Sequence, residues 1–140
     1  MLERMKEGGK RMNFSEGELL VMELLWDGEC LDENGEIKAI ELSHLMTEKY
    51  GISKSSNYTF INRLLEKRAI TRRYPKYTLK PIITRKEVAV SRTEAITEEL
   101  FNGSFVKLFS AFISGKKASK QELDEMRRII AEVEEGELQE

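Results

Sequence analysis

The sequence of 140 residues contains one cysteine, Cys30, and one histidine, His44. A lone cysteine cannot form an internal disulfide or a cysteine-based metal cluster. With a single histidine as well, most nucleophile–base pairs and the common zinc ligand sets are excluded. The sequence also lacks a glycine-rich phosphate-binding loop. We therefore predict that the chain is not an enzyme and that it carries no metal or other cofactor.

Long apolar runs are missing too, and none approaches the roughly 20 residues that a membrane-spanning helix needs. The first 13 residues are charged and lack the apolar stretch of a secretory signal. These two absences, together with the single cysteine, predict a cytoplasmic protein. Apolar residues make up 40% of the chain and charged residues 34%, a composition typical of one soluble domain with or without an appendage.

The order of the predicted elements is helix, short strand, helix, tight turn, helix and hairpin. The helices fall at about 15–27, 39–50 and 53–66, and the strands at about 36–38, 69–74 and 77–82. Two helices joined by a short turn at Gly51 form a helix-turn-helix, and a following two-stranded hairpin is a wing. The sequence therefore predicts a mainly α fold with a small β-wing, that is, a winged helix-turn-helix DNA-binding domain.

The helix that begins at Ser53 has two chemically different faces. Its apolar stripe contains Phe60, Ile61, Leu64 and Leu65, as expected for a helix packed on a core. The opposite side carries hydroxyl, amide and cationic groups, which can hydrogen-bond base edges and phosphates. An ordinary solvated helix face is the alternative interpretation. The candidate DNA-binding residues are Lys54, Ser55, Ser56, Tyr58, Thr59, Asn62 and Arg63 in this helix and Arg72, Arg73 and Lys76 in the hairpin.

The charge distribution favours a nucleic acid. From Lys49 to Lys80 the sequence has nine Lys and Arg residues and one acid, Glu66, which give this segment a net charge of +8. The whole chain has a net charge of −2. A local positive region in an otherwise acidic protein is typical of binding to a polyanion such as double-stranded DNA.

Three further helices are predicted after the hairpin, and they contain more apolar residues than they can bury among themselves. A symmetric partner is the simplest way to cover them, although packing back onto the winged helix is an alternative. We expect a flexible arm over 1–13, the winged-helix domain over 14–82 and a helical dimerisation region over 83–136. The candidate dimerisation residues are Ile96, Leu100, Phe105, Leu108, Phe109, Phe112, Leu123, Met126 and Ile130.

Three segments in this order resemble the BlaI/MecI/CopY family of penicillinase-type repressors. They read FSEGELLVMELLW at 14–26, ISKSSNYTFINRLLEKRAI at 52–70 and LFNGSFVKLFSAF at 100–112. The third segment is the most distinctive because its Asn-Gly-Ser turn is similar to the family's turn between two C-terminal helices. The resemblance implies a homodimer that binds a pseudo-palindromic operator and blocks transcription. At the family's frequent Lys-Thr pair this sequence has Ser55-Ser56.

The same resemblance implies how repression is relieved. Penicillinase-type repressors are cut by a sensor-linked protease at an Asn-Phe bond, and the matching position here is Ala111-Phe112. The asparagine is absent, so a regulatory protease or sensor is left open as a partner. Copper-responsive relatives carry a C-terminal cysteine cluster, whereas the C-terminal residues here contain no cysteine.

Two other functions fit parts of the sequence. A winged helix can serve as a protein-interaction module without specific DNA binding, because a fold alone does not determine function. The apolar C-terminal helices would then form the docking surface. A redox sensor acting through Cys30 would need an intermolecular disulfide or a lowered thiol pKa.

Overall fold

A computed structural model describes residues 12–115 and 118–136. This part of the chain contains six α-helices and three short strands. The helices are α1 (Glu16–Asp27), α2 (Ala39–Tyr50), α3 (Lys54–Glu66), α4 (Arg85–Phe101), α5 (Phe105–Gly115) and α6 (Lys120–Glu134). The strands are β1 (Ile37–Lys38), β2 (Ile70–Arg73) and β3 (Thr78–Pro81). The mainly α winged-helix fold is confirmed, whereas most of the predicted arm lies outside the described residues.

Local capping chemistry determines where several helices begin and end. Ser15, Ser53 and Ser119 each accept a hydrogen bond from a backbone N–H in the first turn of the helix that follows. These bonds satisfy donors that have no partner within the helix. Gly28 and Gly51 end α1 and α2 in the left-handed conformation, with φ of 80° and 70°, which glycine adopts without a steric penalty.

The wing belongs to an antiparallel sheet with the strand order β1-β3-β2. In β2 and β3, Arg72 lies opposite Leu79 and Arg73 opposite Thr78. The two residues of β1 pair with the other edge of β3, so that Lys38 also lies opposite Thr78. The short strand predicted at 36–38 is therefore confirmed, and it connects the wing to the start of α2.

One hydrophobic core lies under these elements. It is formed by α1, α2, α3 and the sheet, with the beginning of α4 at its edge. The sequence pattern placed Ile61 and Leu64 on the inner face of α3, and both are buried. The largest fully buried apolar side chains are Met22, Leu25, Leu42, Met46, Ile61, Leu64, Ile70 and Leu79.

The chain divides into two compact units, of which the first extends to Ala95 and the second begins at Ile96. This division falls within α4, whereas the predicted domain boundary after residue 82 stays a prediction. In the first unit, the start of the described chain is attached to α4. The backbone N–H of Met12 donates to Ser91 Oγ at 3.2 Å, and the Arg92 guanidinium donates to the Phe14 carbonyl at 3.0 Å.

The second unit has helices with large exposed apolar side chains. Asn102 and Gly103 both have positive φ, 51° and 78°, and they reverse the chain between α4 and α5. No residue described in α5 or α6 is buried within the chain itself. The helix α5 extends to Gly115.

Within residues 12–115 and 118–136, no helix combines the length and the apolar character required to cross a bilayer.

Candidate nucleic-acid interface

The turn between α2 and α3 is held together by side-chain hydrogen bonds. Gly51 N donates to the Thr47 carbonyl at 2.8 Å, and the Thr47 hydroxyl donates to the Ile52 carbonyl at 2.6 Å. Ser53 then caps α3 through the N–H of Ser56. These contacts leave little freedom in the three residues between the helices, so the orientation of α3 relative to α2 is well defined.

Asn57 is the buried polar residue that connects the two helices. Its Nδ2 group lies 3.0 Å from the Ser43 carbonyl, 3.2 Å from Ser43 Oγ, 3.1 Å from Thr47 Oγ1 and 3.3 Å from the Ile52 carbonyl. An amide nitrogen has only two hydrogens, so these four acceptors share them. Because the carbonyls of Ser43 and Ile52 can only accept, the amide must present its nitrogen to them. The sequence pattern placed Asn57 at the end of the apolar stripe without revealing this network.

The other side of α3 packs closely against α1. Gly17 faces the Phe60 ring, and a Cβ atom at Gly17 would overlap that ring. Only glycine therefore allows the two helices to approach this closely with Phe60 in its present position. Phe60 is itself packed against the core. The inner face of α3 is thus held by contacts with both other helices of the winged helix.

The outer face of α3 is exposed and polar. Ser55, Thr59 and Asn62 are exposed, and their spacing of four and three residues places them on one side of the helix. Lys54 and Arg63 flank this side and are exposed as well. The arrangement brings together five of the seven candidate DNA-binding residues of the helix.

The remaining two candidates in α3 are less accessible. Tyr58 is half-buried against the core. Ser56 is half-buried, and its Oγ accepts a hydrogen bond from Ser53 Oγ at 3.1 Å. The hydroxyl of Thr59 also has an internal partner, since it donates to the Ser55 carbonyl at 3.0 Å. Thr59 can therefore offer a base its methyl group and its oxygen lone pairs, but not its hydroxyl proton.

The cations of the basic segment fall into two groups. In the part of the chain that the structure describes, Lys54, Arg63, Arg72 and Lys76 form no ion pair with a carboxylate. Lys67, in contrast, forms an ion pair with the buried Glu18. The net charge of +8 in the sequence segment therefore overstates the positive charge that is free to attract a polyanion.

Lys67 connects the end of α3 to the start of α1. Besides its ion pair with Glu18, it donates to the Asn13 carbonyl at 2.7 Å and lies 5.2 Å from the centre of the Phe14 ring. Burial opposes ionisation of Glu18, but hydrogen bonds from Lys67 and Ser15 and the charge of Lys67 outweigh it, so the pKa of Glu18 is lowered. The pair is a structural connection between two helices.

The wing presents one arginine on aromatic rings. The Arg72 guanidinium lies 5.1 Å from the ring centres of both Tyr74 and Tyr77, and it donates to the Tyr77 hydroxyl at 3.4 Å. Cation–π contacts of this kind hold a guanidinium in place without neutralising its charge. Lys76 is exposed in the turn between the strands. Arg72 and Lys76 thus keep their charge available at the wing.

Arg73 has a different environment from Arg72. Its Nε donates to Glu36 Oε2 at 3.0 Å and its Nη2 donates to Glu36 Oε1 at 2.6 Å. The Arg73 guanidinium accordingly lowers the pKa of the Glu36 carboxyl. The sequence gives no sign of this pairing, because Glu36 is one of several acids in a polar loop and Arg73 lies 37 residues further along the chain.

The candidate dimerisation residues lie on α4, α5 and α6. Leu100, Phe105 and Phe112 expose 60–68% of their surface, and Ile96, Phe109 and Ile130 are exposed as well. Leu108, Leu123 and Met126 are half-buried. Ala111 and Phe112, at the position matched to the protease-sensitive bond, are both exposed. Their role in dimerisation or induction stays a prediction.

The environment of Cys30 does not favour a reactive thiolate. Burial raises the pKa of the Cys30 thiol, and the nearby charge of Asp27 acts in the same direction. The thiol lies 3.5 Å from the Leu24 carbonyl. A redox sensor would need the opposite shift. Among the described residues, no group of three His, Cys, Asp or Glu side chains is placed to hold a metal ion.

A winged helix-turn-helix with an exposed polar helix and a positively charged wing defines a class of DNA-binding regulators. The sequence matches the family described as Penicillinase repressor over residues 14–132. The chain therefore belongs to the penicillinase repressor family, and its function in general terms is that of a DNA-binding transcriptional repressor. No curated protein matches the chain.

Proposed function

We propose that this repressor acts in the cytoplasm as a homodimer that binds a pseudo-palindromic operator through α3. The observation that carries the proposal is the exposed outer face of α3. It presents Ser55, Thr59 and Asn62 between Lys54 and Arg63, while the Asn57 network and the contact with Gly17 hold the inner face in place.

The outer face of α3 has the chemistry for reading base edges in the major groove. Asn62 can donate to and accept from an adenine edge, and Ser55 can bond to any base. The Thr59 methyl suits the methyl group of thymine. Lys54 and Arg63 at the sides of this face would contact phosphates, which orient a protein on DNA without reading its sequence.

The wing adds charge beside the recognition helix. Arg72 and Lys76 have no carboxylate partner in the described part of the chain and would neutralise phosphates next to the groove. Each neutralised phosphate releases counterions, so binding should weaken steeply as salt rises. Arg73 is the exception among the predicted wing contacts, because it pairs with Glu36.

Dimerisation is supported by the exposed apolar surface of the second unit. Exposed aromatic and aliphatic side chains of this size are covered by a partner in most soluble proteins. A twofold dimer would place two copies of α3 in successive major grooves, roughly 34–36 Å apart. The operator would then consist of two related half-sites.

The first experiment is a titration of the protein against the promoter DNA of its own gene and against mixed-sequence DNA of equal length. We expect preference for the promoter, two protomers per site and weaker binding at higher salt. Equal, weak binding to both at all salt concentrations contradicts the proposal.

Single substitutions then separate base reading from phosphate binding. Asn62→Ala should reduce the preference for the promoter by about 1–3 kcal/mol, because one side chain that can pair with a base edge is lost. Arg63→Ala should weaken binding to promoter and mixed-sequence DNA alike. An equal loss on both DNAs for Asn62→Ala would contradict its role in reading bases.

A protein-interaction module is the second candidate, because the same exposed apolar surface on α5 and α6 can dock another protein. The two candidates differ in oligomeric state and in salt dependence. A monomer with weak nucleic-acid binding in the titration above favours the interaction module, whereas a dimer retained on heparin at low salt favours the repressor.

A further inference from the structure

The ion pair between Arg73 and Glu36 joins the wing to the loop before β1. Both carboxylate oxygens accept from the guanidinium, at 3.0 and 2.6 Å. This two-bond geometry fixes a planar guanidinium more firmly than a single contact would. Glu36 is 9% exposed, so its charge is directed at Arg73 and not at solvent.

The loop holds Glu36 in place from the other side. Asp32 Oδ1 accepts from Asn34 N at 2.8 Å and from Glu36 N at 3.0 Å, and Asp32 N donates to the Glu36 carbonyl at 2.8 Å. The backbone of Glu36 is therefore held by hydrogen bonds that are independent of its ion pair with Arg73. The wing strand β2 is attached to a loop that is itself ordered by hydrogen bonds.

The strand geometry separates Arg73 from Arg72. Successive side chains of a strand point to opposite faces of the sheet, so these two neighbouring arginines leave β2 on different sides. Arg72 lies opposite Leu79 and is held by tyrosine rings, whereas Arg73 lies opposite Thr78 and meets a carboxylate. Of these two arginines, only Arg73 pairs with a carboxylate among the residues that the structure describes.

We propose that Arg73 does not contact DNA, because its ion pair with Glu36 withholds the charge of Arg73 from DNA phosphates. This inference rests on the proposed function, because it assigns roles among the cations of that DNA interface. Arg72 and Lys76 make the phosphate contacts of the wing. Glu36 limits sequence-independent binding because it pairs with Arg73, the third cation of the wing.

The salt dependence of binding counts the phosphates that a protein neutralises, with a slope of about 0.9 per contact in a plot of log affinity against log salt. We would measure this slope on a mixed-sequence duplex, which requires no knowledge of the operator. The variants are Arg73→Gln, Glu36→Gln, the double substitution, and Arg72→Gln as the matched control. Circular dichroism would verify that each variant is folded.

We expect Arg73→Gln to leave the slope unchanged, whereas Arg72→Gln should reduce it by about 0.9. Glu36→Gln should release Arg73, raise the slope by a similar amount and tighten binding to mixed-sequence DNA several-fold. The double substitution should return the slope to that of the wild type. A merely structural role for the pair would not reproduce this increase and its reversal.

Two results would overturn the proposal. If Arg73→Gln lowers the slope as much as Arg72→Gln, Arg73 itself contacts a phosphate. If Glu36→Gln leaves the slope unchanged in a folded protein, Glu36 does not withhold a cation. Both results can be interpreted only if the wild-type protein binds DNA with a clear salt dependence. A wild type without such binding contradicts the proposed function as well, and the two failures are thereby distinguished.

Discussion

Asn57 shows how one buried side chain can determine the geometry of a recognition element. Its amide serves acceptors on α2 and in the turn before α3, and its carbonyl oxygen has no partner among the described residues. Without this amide, the acceptors on α2 and in the turn would each lose one hydrogen-bond donor inside the protein.

Replacing Asn57 by alanine should lower the free energy of unfolding by about 1–3 kcal/mol, since the buried network between α2 and α3 loses the hydrogen bonds of the Asn57 amide. Urea denaturation at fixed protein concentration would measure this. Asn62→Ala, on the exposed side of the same helix, is the matched control and should change stability by less than about 0.5 kcal/mol. Equal effects of the two substitutions would show that the Asn57 network contributes nothing specific.

The ion pair between Glu18 in α1 and Lys67 at the end of α3 makes the stability of the fold sensitive to acid. The pKa of Glu18 is lower in the folded chain than in the unfolded chain, so the folded state binds fewer protons. The stabilisation is complete above the unfolded pKa, roughly 4.3 for glutamate. It is lost as the pH falls through the folded pKa, when protonation weakens the pair with Lys67.

Comparing wild type with Glu18→Gln tests this connection. The variant should be less stable at neutral pH, and the difference in unfolding free energy should shrink as the pH falls below about 4.3. Thermal or urea unfolding over this pH range would measure it. Glu16→Gln removes a carboxylate from the exposed side of the same turn and is the matched control. A difference that does not change with pH would contradict the assignment.

The packing of α1 on α3 depends on the absence of a side chain. Alanine is a better helix former than glycine by up to about 1 kcal/mol, yet a methyl group at Gly17 would overlap the Phe60 ring. Overpacking of this kind costs roughly 1–3 kcal/mol. The position of α3, the proposed recognition helix, therefore depends partly on a glycine in the neighbouring helix α1.

Gly17→Ala should accordingly reduce stability in spite of its better helix propensity, as measured by urea denaturation. Combining it with Phe60→Leu should recover part of the loss relative to Phe60→Leu alone, because the smaller side chain leaves room for the methyl group. Gly115→Ala is a control in open space, where no atom lies within 4 Å of the added Cβ, and it should not destabilise. A stabilising Gly17→Ala would show that Phe60 moves aside freely.

The helices and strands of the winged helix could be predicted from sequence because local interactions determine them. The caps at Ser15 and Ser53, the glycine at Gly51 and the apolar periodicity all act within a few residues. The exposed side of α3 followed directly from that periodicity, and its candidate residues Ser55, Thr59 and Asn62 are indeed exposed.

What the sequence did not show were the contacts between distant residues. Lys67 and Glu18 are 49 positions apart, and Arg73 and Glu36 are 37 apart. A count of charges in the sequence treats every cation of the segment as equivalent. In the folded chain, Lys67 and Arg73 form ion pairs with carboxylates of the same chain. Such pairings depend on tertiary packing, which no local pattern encodes.

At the scale of the whole molecule, the second unit exposes large apolar side chains to water, which is unfavourable in free energy. Phe105, Phe109 and Phe112 follow one another at helical spacing on α5 and are all exposed, and the first two rings lie 6.3 Å apart. Repeated exposure of aromatic side chains on one stripe is costly for a lone chain. A second copy of the chain would cover this stripe.

If the proposed homodimer forms through this stripe, Phe112→Asp should convert it into monomers and weaken operator binding, because two half-sites are no longer bound together. Sedimentation equilibrium would measure the oligomeric state. Lys107→Glu changes charge on the opposite side of the same helix and should leave the dimer intact. Unchanged sedimentation of Phe112→Asp would exclude this stripe as the interface.

Trp26 is the single tryptophan of the sequence, and its position has a practical consequence. Its indole N–H donates to the Ile83 carbonyl at 2.8 Å, and the Arg85 guanidinium lies 5.3 Å from its ring. Arg85 also pairs with Glu23 on α1 at 2.5 Å. The protein thus has its single tryptophan at the junction of α1 with the start of α4. The emission of Trp26 would report, without any label, whether that junction opens when DNA or an inducer binds.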